Sequence, residues 1–318
     1  MLITGGLGFI GSNLARRLVD IGAHVTLVDS LIPEYGGNLF NINGIEDKVR
    51  INVADVRDRH SIGYLIQGQD YLFNLAGQTS HVDSMEDPYT DLEINCLAQL
   101  SILEACRKYN PAIKIVFAST RQVYGKPDHL PVNENHLLRP VDVNGINKMA
   151  GEWYHILYNN VYGIHATALR LTNTYGPRMR VRDARQTFLG VWIRLLVQEQ
   201  PFEVWEGQQL RDFTFVDDAV DAMLRAATNE RANGRVFNLG GERAVNLTEL
   251  ADLLVKANGG GRYEIRSFPE NRKRIDIGDY YADYSSLTDT LGWQPRVHLQ
   301  EGLELTIHFF RQHLRNYL

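Results

Sequence analysis

Gly5, Gly8 and Gly11 recur every third residue in the stretch TGGLGFIGS, and Asp29 follows 18 residues after Gly11. Glycine admits the positive φ of a tight turn and lets a backbone come close to a bulky anion. A helix starting at such a turn offers unpaired N–H groups and partial positive charge to a pyrophosphate. A carboxylate at Asp29 can accept hydrogen bonds from both hydroxyls of an adenosine ribose and repels a 2′-phosphate. The pattern therefore predicts NAD rather than NADP.

That chemistry needs a strand before the glycines and a helix after them. Leu2 and Ile3 begin an apolar strand, and Ile10, Leu14, Leu18 and Ile21 keep helical spacing. Val25, Leu27 and Val28 resume a buried strand that Asp29 closes. The alternation continues in VRINVADVRD, DYLFNLAGQTSHVDS, AIKIVFASTRQVYG and GIHATALRLTNTYGP. Strands separated by helices imply a doubly wound parallel sheet, in which ligands lie beyond the carboxyl ends of the strands. Asp55, Ala76 to His81, Thr120 and Asn173 all fall at such ends.

The 318 residues favour two lobes over one core. The net charge of -5 offers no general attraction to nucleic acid or acidic membranes. No apolar run is long enough for a membrane span and no secretory signal precedes the first motif. Cys96 and Cys106 fall in one expected helix, about 15 Å apart, too far to bridge. A cytoplasmic protein with no bound metal is expected.

Further motifs accompany the glycine turn: ADVRD at 54–58, NLAGQ at 74–78, STRQVYG at 119–125, NKMAGE at 147–152, LRLTNTYGPR at 169–178, LRDFTFVDDAVDA at 210–222 and VFNLGG at 236–241. In this order they resemble the extended short-chain dehydrogenase/reductase family, whose members epimerise, dehydrate or decarboxylate nucleotide sugars. The resemblance implies a Rossmann-type domain over 1–176, rejoined by a strand near 235–241, and a smaller, interleaved substrate-binding lobe over 177–318. It implies that Gly5, Gly8, Phe9, Ile10, Gly11, Asp29, Asp55, Val56, Leu75, Ala76, Gly77 and Lys148 hold NAD. Thr120 resembles the hydroxyl that meets the sugar alcohol. Asn173, Arg211 and Arg274 resemble residues that hold the substrate's diphosphate, Arg being suited to phosphate by its planar fork. Arg178, Arg180, Arg182 and Arg185 crowd the entrance to the second lobe. Two readings stand for them: a clamp for a diphosphate or sugar carboxylate, or a solvated basic loop.

One expected residue is missing. In the resembling family a Tyr four residues before the Lys, on the same helical face, takes the hydroxyl proton as hydride leaves the sugar. Here that position is Asn144. An amide can hydrogen-bond a hydroxyl but has no proton-accepting state at neutral pH. Candidate substitutes near strand ends are His81, Asp83, Tyr124 and Tyr175; His81 is preferred because imidazole titrates near the operating pH. A water held by Asn144 and Thr120 is a further route, and binding without turnover is another reading. The Asp–Glu pair of the resembling dehydratases is replaced by Arg121–Gln122, and the decarboxylases' Glu is absent. What remains favoured is NAD-dependent epimerisation of a nucleotide-diphosphate sugar, with transient oxidation at C4. A weak or inactive nucleotide-sugar-binding protein is the alternative, beside an atypical dehydratase or decarboxylase. Helices near 90–108 and 143–162 carry apolar residues on more than one side, and the resemblance implies a homodimer through them.

Overall fold

The computed structural model describes residues 1–35, 37–269 and 275–318. Six strands lie in the first 171 residues: β1 (Leu2–Thr4), β2 (Val25–Asp29), β3 (Val49–Val53), β4 (Tyr71–Asn74), β5 (Lys114–Thr120) and β6 (Ala166–Leu171). Six more follow: β7 (Asn173–Tyr175), β8 (Phe202–Trp205), β9 (Leu210–Phe215), β10 (Val236–Asn238), β11 (Ala244–Asn246) and β12 (Tyr263–Arg266). A seven-stranded sheet runs in the order β10-β6-β5-β4-β1-β2-β3, and every pairing in it is parallel. β10 joins this sheet at its edge, where Val236 pairs with Ala168 of β6.

The order places β1 next to β4, away from β3, so the chain reverses direction across the sheet between those two strands. Such a reversal leaves a crevice at the strands' carboxyl ends. β5 is buried from Lys114 to Ser119, as a central strand covered on both faces must be. β6 ends at Leu171, and after Thr172 the chain enters a second sheet, β11-β9-β7. The fourth expected strand is thus two strands in different sheets. β8 and β12 form a third, two-stranded sheet. The second core packs Trp192, Phe202, Phe213, Phe215 and Phe310 together.

The helix Val143–Tyr162 starts at Asp142, whose side chain accepts from Gly145 N, and stops at Gly163 in the left-handed conformation. Its inner face is tied down by a buried pair: Arg170 on β6 meets Glu152 at 2.5 Å, and Ser119 donates to the same carboxylate at 2.6 Å. The helix expected near 90–108 is interrupted. Pro88–Leu92 is followed by one π-helical turn, Glu93–Leu97, before Ala98–Tyr109 resumes. The wider turn leaves Asn95 and Gln99 fully buried, where Asn95 donates to Gln78 O and Gln99 accepts from Asn74. Among the described residues no helix is long and apolar enough to cross a membrane.

Candidate active site

Two cavities meet beyond the carboxyl ends of the central strands. The first is lined by Gly5, Gly8, Phe9, Ile10, Gly11, Asp29, Asp55, Val56, Leu75, Ala76, Gly77, Thr120, Asn144 and Lys148, among others. The cofactor residues expected from the sequence, which come from separate segments, therefore face one space. The second, of about 580 Å³, is lined by Arg185, Trp205, Arg211, Phe268 and Asp276, among others. His81, Arg121, Asn173, Gln186 and Thr187 line both and mark the neck between them.

The glycines do what their spacing predicts. Gly5 has φ 67°, and a Cβ on Gly11 would stand 2.2 Å from Gly5 O. Gly8 begins the helix Phe9–Asp20 with no side chain capping it and no acidic residue in the first turn. A Cβ at Gly8 would press on Gly5 O at 3.2 Å, so glycine relieves a close approach here as well. At the end of β2, Asp29 accepts from Leu7 N at 3.0 Å and Leu31 N at 2.9 Å. Burial raises its pKa, against those hydrogen bonds. Asp55 is gripped by Arg57 at 2.7 Å and held below the usual carboxylate range, chiefly by that side-chain bond. An open helix start beside a fixed carboxylate fits the pyrophosphate and ribose of a dinucleotide.

Lys148 is 6% exposed and donates to Ala118 O at 3.1 Å; burial lowers its pKa to about 8, with Asp91 opposing. Thr120 ends β5, where its hydroxyl accepts from Gln122 N at 3.2 Å. Asn144 lies one turn before Lys148 and is 2% exposed. Its amide is already engaged: Nδ2 donates to Gln78 O at 2.8 Å and to Asp91 Oδ2 at 2.9 Å. Asp91 is wholly buried and also accepts from Asn95 and Asn147. What stays open to a ligand is the amide oxygen, on a residue that lines the first cavity. Its N–H groups hold the loop bearing Gln78 to the helix.

The substrate-side residues divide. Asn173 accepts from Arg121 at 3.1 Å and donates to Asp212 O. Arg211 donates to Leu210 O and Gly278 O and meets Asp276 at 3.3 Å; burial lowers its pKa to about 10. Arg178 stands apart from them. It has φ 74°, donates to Asn13 at 2.8 Å, lies over Phe309 and lines neither cavity. Arg180 pairs with Asp183, while Arg185 pairs with Asp83 and Asp183. Arg274 lies outside the described residues. Among the described residues no group of three or more His, Cys, Asp or Glu could hold a metal ion.

Of the substitute bases, Tyr124 and Tyr175 are wholly buried and line neither cavity. Tyr124 hydrogen-bonds Asn238 and Arg170. Tyr175 donates to Leu299 O. Asp83 is taken by Arg185 at 2.6 Å. Only His81 stands at the neck. Three polar residues went unnoticed in the sequence as site builders: Gln78, Asp91 and Asp142. Asp142 carried a local signal, an acidic residue where a helix should start.

The family model for the NAD dependent epimerase/dehydratase family matches residues 1–240. A putative UDP-glucose 4-epimerase of Methanocaldococcus jannaschii is 33% identical over 320 residues, covering 99% of each chain. The UDP-glucose 4-epimerase of Mycolicibacterium smegmatis is 31% identical over 98% of each. The crystal structure of Thermotoga maritima UDP-glucose 4-epimerase with UDP-glucose superposes with a TM-score of 0.89 at 30% identity, covering 98% of this chain and 99% of that one. The Thermus thermophilus UDP-glucose 4-epimerase in complex with NAD gives 0.87 at 28% identity, over 98% of each chain. The chain belongs to the NAD-dependent epimerase/dehydratase family, and its cofactor is NAD.

Proposed function

We propose that the protein epimerises a nucleotide-diphosphate hexose by transient oxidation at C4. The observation that carries this is the joining of the two cavities at His81, Arg121 and Asn173. A sugar held there reaches the cofactor cavity with one end while its diphosphate stays beside Arg211. Bound NAD supplies the acceptor for a hydride taken from the sugar and given back to it. Gly5, Gly8 and Gly11 bind the pyrophosphate, Asp29 the adenosine ribose, Asp55 and Val56 the adenine, and Lys148 the nicotinamide ribose. Phe9, Ile10, Leu75, Ala76 and Gly77 wall the cofactor cavity. Thr120 orients the sugar hydroxyl. Gln122 donates to Asp142 and Arg121 to Asn173, so this pair has no acid and base for a dehydratase's loss of water.

The reading extends to assembly and location. Leu97, Trp153, Leu157, Val161 and Tyr162 are all about half exposed on helices flanking the sheet. An apolar face of this kind supports a homodimer, with a sedimentation mass near twice 36.2 kDa. Two free cysteines support a cytoplasmic location.

The test is to add UDP-glucose, UDP-galactose, UDP-glucuronate and their CDP, dTDP and GDP counterparts to NAD-loaded protein. Reduced-nicotinamide absorbance and the epimeric product are both followed. Reduction with a product inverted at C4 is expected. Tight binding of a sugar with neither signal favours the binding-protein reading, for which the engaged amide of Asn144 is the supporting observation.

A further inference from the structure

We infer that His81, oriented by Asp142, is the group that takes and returns the sugar hydroxyl proton in place of the missing phenol. This rests on the epimerase reading above.

His81 opens the short helix His81–Glu86, and its Nδ1 stands 3.0 Å from Asp142 Oδ2. That nitrogen is buried, yet the side chain is 36% exposed and lines both cavities, so the rest of the ring is what the cleft meets. The approach to Asp142 is oblique rather than a well-aligned hydrogen bond. Catalytic contacts of this kind commonly tighten when substrate arrives. The carboxylate itself has little freedom: its side chain is fully buried, accepts from Gly145 N at 2.6 Å and from Gln122 Nε2 at 2.8 Å, and caps the helix Val143–Tyr162. Burial pushes its pKa up, but the His81 imidazole and those donors outweigh it and keep it below the ordinary carboxylate range. A helix N-terminus favours the same charged state.

An anion fixed against Nδ1 selects the tautomer that bears its proton there, which leaves Nε2 as a proton acceptor. Position supports the role as well. Asp142 lies two residues before Asn144 on the helix that presents Lys148 to the cofactor cavity. The bond from Asn144 to Gln78 O fixes the loop three residues before His81. The residue replacing the tyrosine thus helps to hold its substitute in place.

The proton balance is simple. The sugar O–H bond breaks and its proton passes to Nε2. The oxygen's electron pair closes the carbonyl while the carbon's hydrogen leaves as hydride to the nicotinamide. When hydride returns to the opposite face, Nε2–H protonates the oxygen and the imidazole is neutral again. Asp142 keeps its charge throughout and is a positioning residue.

The test uses the full chain loaded with NAD, with UDP-glucose and then the other nucleotide sugars as probes. His81→Ala is expected to lower kcat by about 10²–10⁴-fold, the usual value of a positioned general base. UDP-glucose affinity by calorimetry should change little, and millimolar imidazole should restore part of the rate. Asp142→Ser keeps a capping side chain but removes the charge; kcat should fall by about tenfold or more with KM unchanged. If His81→Ala does not fold, His81→Gln, which fills the place but takes no proton, gives the same reading. Unchanged kcat in the His81 variant overturns this inference and leaves the epimerase reading standing. A loss that imidazole does not restore and that tracks lost UDP-glucose binding overturns it too. An unmodified protein that binds a nucleotide sugar yet never reduces NAD overturns both.

Discussion

Two helices begin at the same cleft and are built in opposite ways. The helix Phe9–Asp20 starts at Gly8, uncapped by any side chain and with no acidic residue in its first turn. The helix Val143–Tyr162 starts at Asp142, whose carboxylate closes the end by accepting from Gly145 N. Both ends carry partial positive charge. The first leaves it available to an anion from outside; the second satisfies it with the protein's own anion and sets that anion against His81. An open start suits a cofactor phosphate, and a closed one suits holding a side chain for proton transfer.

The largest effect comes from making the first start resemble the second. Gly8 has extended backbone, φ -77° and ψ -175°, which Asp adopts, and its Cβ would press on Gly5 O at 3.2 Å, so Gly8→Asp needs only a small shift of the turn. Its carboxylate would cap the helix and repel the pyrophosphate. NAD affinity should fall by about 100-fold or more, on the order of 3 kcal/mol, in a calorimetric titration. The exchange of caps is itself worth only a few tenths of a kcal/mol, so a larger fall in thermal stability reads the crowding of Gly5 O. An affinity within about tenfold of the unmodified protein would mean that the anion does not sit at this helix.

A smaller effect separates the arginines. Arg211 lines the second cavity and Arg178 lines neither. Arg211→Ala should weaken UDP-glucose binding by roughly 30- to 100-fold, the scale of one charge-assisted hydrogen bond. Arg178→Ala should leave it within about twofold, since no contact with either cavity is lost. The reverse ranking would restore the arginine loop as the diphosphate clamp.

Next is position 144. Asn144→Tyr removes the donor to Gln78 O and Asp91 in a site that is 2% exposed. Gln78 O and Asp91 keep their bonds from Asn95, so the cost comes from the two lost hydrogen bonds and from crowding a larger ring into a buried place, about 2 kcal/mol, read from the denaturant midpoint. NAD reduction by UDP-glucose should not rise. A faster variant would show that the tyrosine position, and not His81, governs proton transfer.

The sequence exposed these regions unequally, for a physical reason. The open helix start is local: Gly5, Gly8, Gly11 and Asp29 lie within one strand–helix–strand unit, and their spacing carries the geometry. The closed start is not. Asp142 meets an imidazole 61 residues earlier in the chain, and Asn144 meets Gln78 and Asp91 on two other segments. Spacing places Asn144 on its helical face but not beside its partners, so the buried network of its N–H groups is not legible in the sequence. The arginines divide for the same reason: their cluster is visible in the sequence, but not that Arg178 lies against Asn13 and Phe309. Alternation of strands and helices foretold the parallel sheet, whereas the change of sheet at Thr172 and the π-helical turn at Glu93–Leu97 depend on distant packing.

The smallest effect concerns the charge one turn beyond Asn144. Burial lowers the Lys148 pKa to about 8, with Asp91 opposing, so the ammonium proposed to meet the cofactor is present below that pH and lost above it. From about pH 7 to about pH 9, NAD affinity should weaken by up to about tenfold, as the charged fraction falls. Stability must move the other way through this group. Its folded pKa lies below the ordinary 10.5, so between about 8 and 10.5 the unfolded chain binds more protons than the folded one. The Lys148 contribution to unfolding free energy therefore rises with pH across that window. Weaker NAD binding with a retained thermal midpoint is the expected pair of results, and Lys148→Met should flatten the affinity profile. A profile that keeps its slope in Lys148→Met would assign the charge that meets NAD to another group.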